Sequence, residues 1–408
     1  MNDVGTVVDH LFRHSAGQMV ATLTRIFGPE HLPLAEEVVQ EALVAAMGQW
    51  SFHGVPENPA GWLFRVARNK ALDQLRRQKI LESKAGEIRE ALGRETIDES
   101  TDDTLAMMFM CCHPAIPDES RIALTLKTVG GFAVDEIARA FLAQSTAIAQ
   151  RIVRAKKLIR ETPIPLEMPS AHELPQRLES LLRVLYLMFN EGYTAHGGDA
   201  LVRGDLCDEA IRLASLLAEA PSAATPAVHA LLALMLLQSA RSPERIDAAG
   251  EVALLEEQDR SRWDHERIAR GMRHLEASAS GDEMTTYHIE AAIAACHAAS
   301  PSFEETDWGR IVSLYDDLIA LNPSPVAALN RAVAIAMIDG AGAGIDAVES
   351  IEGRESLRDY PLLYSILGEL WLRRGDRERA AEQFSRALEL PSSMPEKRFL
   401  LRKLESCR

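Results

Sequence analysis

The stretch VDEIARAFLAQSTAIAQRIVRAKKLIR, residues 134–160, decides how the rest of the chain is read. It holds two short helical patterns separated by a few small and polar residues. Ile137, Ala138 and Phe141 give the first an apolar packing face. In the second, Ile148, Ile152 and the aliphatic part of Lys156 recur every four residues, the stripe of an amphipathic helix. Ser145 stands where it can cap that helix. Gln150, Arg151, Arg154 and Lys157 project to the other side. Two helices, a tight turn, a packed stripe and a free polar face are the parts of a helix-turn-helix. Arg and Gln read base edges bidentately, and Lys and Arg neutralise phosphates. The pattern therefore points to duplex DNA, with an ordinary three-helix core as the bland alternative. Leu142 departs from the motif, because glycine commonly makes this turn.

Upstream, residues 104–112, 118–128 and 133–141 complete a compact helical unit with 145–161. Further towards the N-terminus the periodicity predicts helices over 5–30, 33–50 and 62–79, with a Gly- and Pro-rich loop at 51–61. The helix from 33 opens on LAEE, which puts acid in its first turn, favourable to the helix dipole. Glu36, Glu37, Gln40 and Glu41 form its polar side, while Val38, Val39, Ala42, Leu43 and Met47 serve the core. Phosphate repels such an acidic helix, so it suits a protein neighbour. The next helix reverses the sign. Arg65 to Lys79 carries six Lys or Arg residues opposed only by Asp73, with Asn58, Trp62 and Asn69 close by. Cations that hold a backbone beside aromatic and amide groups suit a melted strand. Trp50 and Trp62 also read as core residues.

The 408-residue chain has a net charge of −16, which at first argues against nucleic acid. The distribution argues otherwise. Residues 1–163 hold 19 Lys+Arg against 21 Asp+Glu, and 164–408 hold 25 against 39. The acid lies in the second half, and two strongly basic helices stand in the first. Apolar residues make up 47% and aromatics only 5%, which favours helices over a β-sandwich. There is no run long enough for a membrane span and no signal-peptide pattern, so a cytoplasmic location is expected. Five cysteines without a C-x-x-C pair give neither a disulfide framework nor a zinc site. The Cys111-Cys112-His113 cluster reads as a helix end, so no metal or cofactor is expected. No catalytic elbow, phosphate-cradling glycine loop or metal-ligand spacing argues for an enzyme.

Together the three motifs resemble the extracytoplasmic-function sigma factors of the sigma-70 family. LAEEVVQEAL looks like that family's polymerase-docking helix and NPAGWLFRVARNKALDQLRR like its helix for the −10 promoter element. R-x-x-R-A-K at 151–156 fits the usual ending of its −35 reader. The resemblance covers roughly 5–162. It implies that Glu36, Glu37, Val38, Gln40 and Glu41 meet the β′ clamp helices of RNA polymerase core, with the β flap a second polymerase contact. It also implies that the loop 51–58 holds an extruded base. Asn58, Arg65, Arg68, Asn69, Asp73, Arg76 and Arg77 would contact −10 DNA. Gln150, Arg151, Arg154, Lys156 and Lys157 would contact the −35 duplex. Ala147 and Ala149 stand where the family often has Ser or Lys.

Beyond the four-proline segment 162–175, helical patterns alternate with short turns. PLLYSILGELWLRRGDRERAAEQFSRALEL, residues 361–390, resembles a tetratricopeptide repeat through Leu367-Gly368, Trp371, Gly375-Asp376, Ala380, Phe384 and Ala387. Residues 325–352 give a weaker copy, and 308–321 a helix of the preceding one. Such a domain suits a protein partner. MFNEGYTAHGGD at 188–199 offers Glu191, Tyr193, His196 and Asp199 as a small ligand site, or simply a structured loop. The expected chain is all-α: a first sigma domain at 1–80, a linker at 81–103, a helix-turn-helix domain at 104–162, a linker at 163–175 and a helical repeat domain at 176–408. The expected function is that of a sigma factor. The competing reading is a helix-turn-helix regulator with a helical sensing domain.

Overall fold

The computed structural model describes residues 4–77, 101–141, 143–162, 164–193, 204–247 and 251–408. Among these the fold is all-α, and one isolated bridge, Ile246 with Val252, is the extent of β structure. The chain divides into two compact units, Met1–Leu187 and Met188–Arg408.

The first unit begins with α1 (Val4–Phe27), α2 (Leu32–His53) and α3 (Pro59–Arg77), each packed on the next. Gly28 at a φ of 101° ends α1 and Pro33 lies in the first turn of α2. Because α2 starts at Leu32, its first turn holds no acid, and Glu36 falls one residue beyond it. The loop expected at 51–61 is shorter. Ser51 and His53 bond back to the carbonyls of Met47 and Gln49, so the helix persists until Gly54 turns the chain at a φ of 80°. Pro59 then starts α3, where its missing N–H costs nothing.

The helix-turn-helix half of this unit contains α4 (Thr101–Cys111), α5 (Asp118–Thr128), α6 (Val134–Ala140) and α7 (Ser145–Glu161). From Leu105 to Cys112 every residue of α4 and its end is buried. Arg121 ties down the loop that follows. Its Nε donates to the carbonyls of Ile116 at 2.6 Å and His113 at 3.2 Å, and Nη2 to that of Pro114 at 2.8 Å. Burial pushes the Cys111 thiol well up and the Cys112 thiol to about 11. Both stay protonated at neutral pH, a structural pair rather than a reactive one. The first unit runs past the proline-rich stretch into α8 (Leu174–Tyr193), because Ile164 is buried and Arg177 Nη2 donates to the Phe109 carbonyl at 2.7 Å.

In the second unit α9 (Gly204–Glu219) and α11 (His265–Ser278) flank α10 (Pro226–Ser239), in which every residue from Ala230 to Leu237 is buried. Then follow α12 (Thr286–Ala299), α13 (Trp308–Leu321), α14 (Pro325–Asp339), α15 (Ala341–Glu349), α16 (Pro361–Arg374), α17 (Arg377–Glu389) and α18 (Met394–Ser406), each packing on the next. Between α16 and α17, Gly375 adopts the left-handed conformation and Asp376 caps α17 by accepting from the Arg379 N–H at 3.1 Å. A Cβ on Gly368 would lie 2.6 Å from Phe384, so the glycine is what lets these two helices close.

Candidate nucleic-acid and polymerase interface

Three exposed rows stand on the first unit, each set by helical periodicity. On α2 the buried side is Ala35, Val38, Val39, Ala42, Leu43, Ala46 and Trp50. The opposite row is Glu37, Gln40, Val44 and Met47, with Glu41 half-buried at its edge. Val44 is 69% exposed, Met47 53% and the nearby Phe52 88%, so the acidic row turns apolar towards the helix end. Two expectations are corrected here. Val38 is fully buried, as its periodicity predicts, against the polymerase contact that the resemblance implied for it, while Met47, assigned to the core, faces solvent. The reason is phase: Met47 follows Gln40 and Val44 at helical spacing, whereas Val38 follows Ala35. The sequence reading did not single out the exposed Val44 and Phe52, although Val44 is one turn from both Gln40 and Met47.

On α3 the exposed row is Arg65, Asn69, Asp73 and Arg76, above a core side of Leu63, Phe64, Ala67, Ala71, Leu72 and Leu75. Arg68 is half-buried, and Arg76 lies 3.7 Å from Asp73. Lys70 is spent on Glu41 of α2 at 2.6 Å, which joins the acidic and basic helices directly. Asn58 is exposed, and its Oδ1 accepts from the Gly61 N–H at 2.8 Å and so caps α3. Trp50 is buried and Trp62 half-buried, and the two meet edge to face at 5.4 Å.

On α7 the core stripe is Ile148, Ile152, Ala155 and Ile159. Gln150, Arg154 and Lys157 are exposed, and so is Val153 at 64%, which the sequence reading passed over. Ser145 does not cap this helix. Gln144 holds the cap position and makes no side-chain cap bond. Arg151 leans onto Glu119 of α5 at 2.6 Å. Lys156 is the larger departure. Its ammonium bonds the Glu36 carboxylate of α2, and both side chains are largely buried. Thr128 Oγ1 donates to the other oxygen of Glu36 at 2.8 Å. Two groups expected to serve separate partners therefore serve each other. Beside them burial lowers the Lys127 ammonium pKa, with Glu36 opposing that shift and Lys156 adding to it.

The side chains of Arg77 and Arg139, and residues Lys79, Leu142, His196 and Asp199, lie outside what the structure describes, as does most of the 81–103 linker. Of the 188–199 constellation, Tyr193 is buried at the end of α8. Its ring lies 4.1 Å from the Arg245 guanidinium, and its hydroxyl accepts from Arg241 at 2.6 Å. Among the described residues no group of three or more His, Cys, Asp or Glu is arranged to hold a metal ion. No described helix is long and apolar enough to cross a membrane.

Residues 11–80 match the family model for sigma-70 region 2, and 177–279 match a family of unknown function, DUF6596. An uncharacterized protein of Rhizobium meliloti (strain 1021) is 38% identical over 414 residues, which span 99% of this chain and 96% of that one. No solved structure matches the chain.

Proposed function

We propose that the chain, whose residues 11–80 match sigma-70 region 2 and which belongs to one family with its rhizobial relative over nearly its whole length, is a sigma factor of the extracytoplasmic-function type. It brings RNA polymerase core to promoters and starts transcription. The observation that carries the reading is the pair of separate basic rows, one inside the region 2 domain and one on the helix-turn-helix.

In this reading Glu37, Gln40 and Glu41 dock on the β′ clamp helices, and Val44 and Met47 bury apolar surface in the same contact. A docking face that is acidic at one end and apolar at the other gains steering from charge and affinity from burial. Arg65, Arg68, Asn69, Asp73, Arg76 and Arg77 engage −10 DNA, whose melted backbone the cations grip and whose bases the amides and acid contact. Gln150, Arg154 and Lys157 enter the −35 major groove, with Val153 placed to meet a thymine methyl. The helix-turn-helix domain contacts the β flap. The second unit acts as a tetratricopeptide-like partner-binding domain, a use supported by the small-residue closure at Gly368, Ala380 and Ala387.

Transcription in vitro with core polymerase on a promoter library tests the proposal. The full chain should comigrate with core and direct initiation from a defined set of promoters. Binding of duplex operator without core, with no initiation, would instead favour the helix-turn-helix regulator.

A further inference from the structure

Glu36 and Lys156 are 120 positions apart, yet they close on each other between α2 and α7. Their side chains are only 12% and 17% exposed, so neither is free to meet a partner while the pair holds. Three further contacts lie along the same seam. Thr128 donates to Glu36 at 2.8 Å. Arg25 of α1 pairs with the buried Asp103 of α4 at 2.6 Å. Gly17 of α1 meets the junction between α5 and α6 so closely that a Cβ there would lie 2.1 Å from the Val129 carbonyl oxygen. A narrow cleft bordered by Ala16, Val20, Gln40, Lys127 and Gly131 runs beside them.

We propose that this seam is a latch: in the free protein the helix-turn-helix is clasped onto the polymerase-docking helix, and core polymerase must open the clasp to engage either one. The inference rests on the sigma-factor reading above. The chemistry of the pair fits a reversible contact better than a permanent one. A buried ion pair roughly breaks even against its desolvation, whereas removing one partner strands the other charge. Opening the seam returns both ions to water together and strands neither.

The test uses the full chain and two substitutions away from the proposed polymerase and DNA contacts. Gly17→Ala inserts a methyl where the carbonyl of Val129 sits, while alanine favours α1 itself. Thr128→Val removes a donor from Glu36. The latch is read by carbodiimide coupling. The reagent activates the Glu36 carboxylate, the Lys156 amine attacks it, a urea leaves and an amide joins the two peptides. Free wild-type protein should give this cross-link, and added core polymerase should abolish it. Both variants should cross-link less and bind core about ten-fold more tightly, because a smaller closed fraction taxes binding less. Equal affinities, together with a cross-link that persists in the core-bound wild type, would overturn the latch and leave the sigma-factor reading standing. Failure of wild type and variants alike to bind core would overturn that reading, and the latch with it.

Discussion

Gly368→Ala should change sign with its surroundings. In the wild type the added methyl would stand 2.6 Å from Phe384 Cε1 and 2.7 Å from Cδ1, and Phe384 is fully buried with no room to retreat. Overpacking of this kind costs about 1–3 kcal/mol. Alanine returns about 1 kcal/mol through its helix propensity. The net effect is a loss of roughly 0–2 kcal/mol by those two terms. Phe384→Ala alone should cost about 3–5 kcal/mol through lost burial and a cavity. In that background the methyl enters empty space, so Gly368→Ala should stabilise by up to about 1 kcal/mol. The coupling between the two sites is then about 1–3 kcal/mol, well above the scatter of independent sites. Native-state hydrogen exchange of α16 and α17 amides measures it locally, which a global melt of a two-unit chain does not. If Gly368→Ala has the same effect in both backgrounds, the close helix approach described here is wrong.

Other outcomes follow from the exposed rows and the buried histidines. Arg154→Ala and Lys157→Ala should each lower the salt slope of duplex binding by about 1, read from affinities across a salt series; unchanged slopes would remove them from the phosphate contacts. Met47→Asp should weaken core binding at least ten-fold, by about 1.4 kcal/mol, with an unaltered melting curve, because the side chain is solvated in the free chain. Burial foremost, then Arg241 and Arg260, lowers the His297 pKa to about 3 from 6.5. The unfolded chain thus binds the extra proton between those values, and stability falls with acid. Urea midpoints from pH 7 to pH 5 should decline, with this histidine contributing at most about 1.4 kcal/mol per pH unit. His297→Gln should flatten the slope, and an identical slope would assign the acid sensitivity elsewhere.

The helices were legible because their signals are local. Apolar spacing, Gly28, Pro59 and the Gly375-Asp376 turn fix element type within a few residues, and the helices of the helix-turn-helix fall within a residue or so of their sequence reading. The boundary errors were local too. Residues 51–53 stayed helical because the breakers counted in the 51–61 loop act only from Gly54 onward. Burial along α2 was legible in its period, which put Val38 in the core, but Met47 was misassigned: both are apolar, and composition cannot say which of two apolar residues faces the neighbouring helix.

By itself, then, the sequence determined an all-α chain, its helix-turn-helix, its two basic rows and the close-packed hairpin of α16 and α17. Tertiary structure alone decided which charges remain available. Glu36 and Glu37 are adjacent and chemically alike, yet one is buried against Lys156 and Thr128 while the other faces solvent. Periodicity describes each helix against its own axis and carries no term for a partner 120 residues away. That pairing exists only because burial elsewhere, at Gly17 against Val129 and along α4, brings α2 and α7 together.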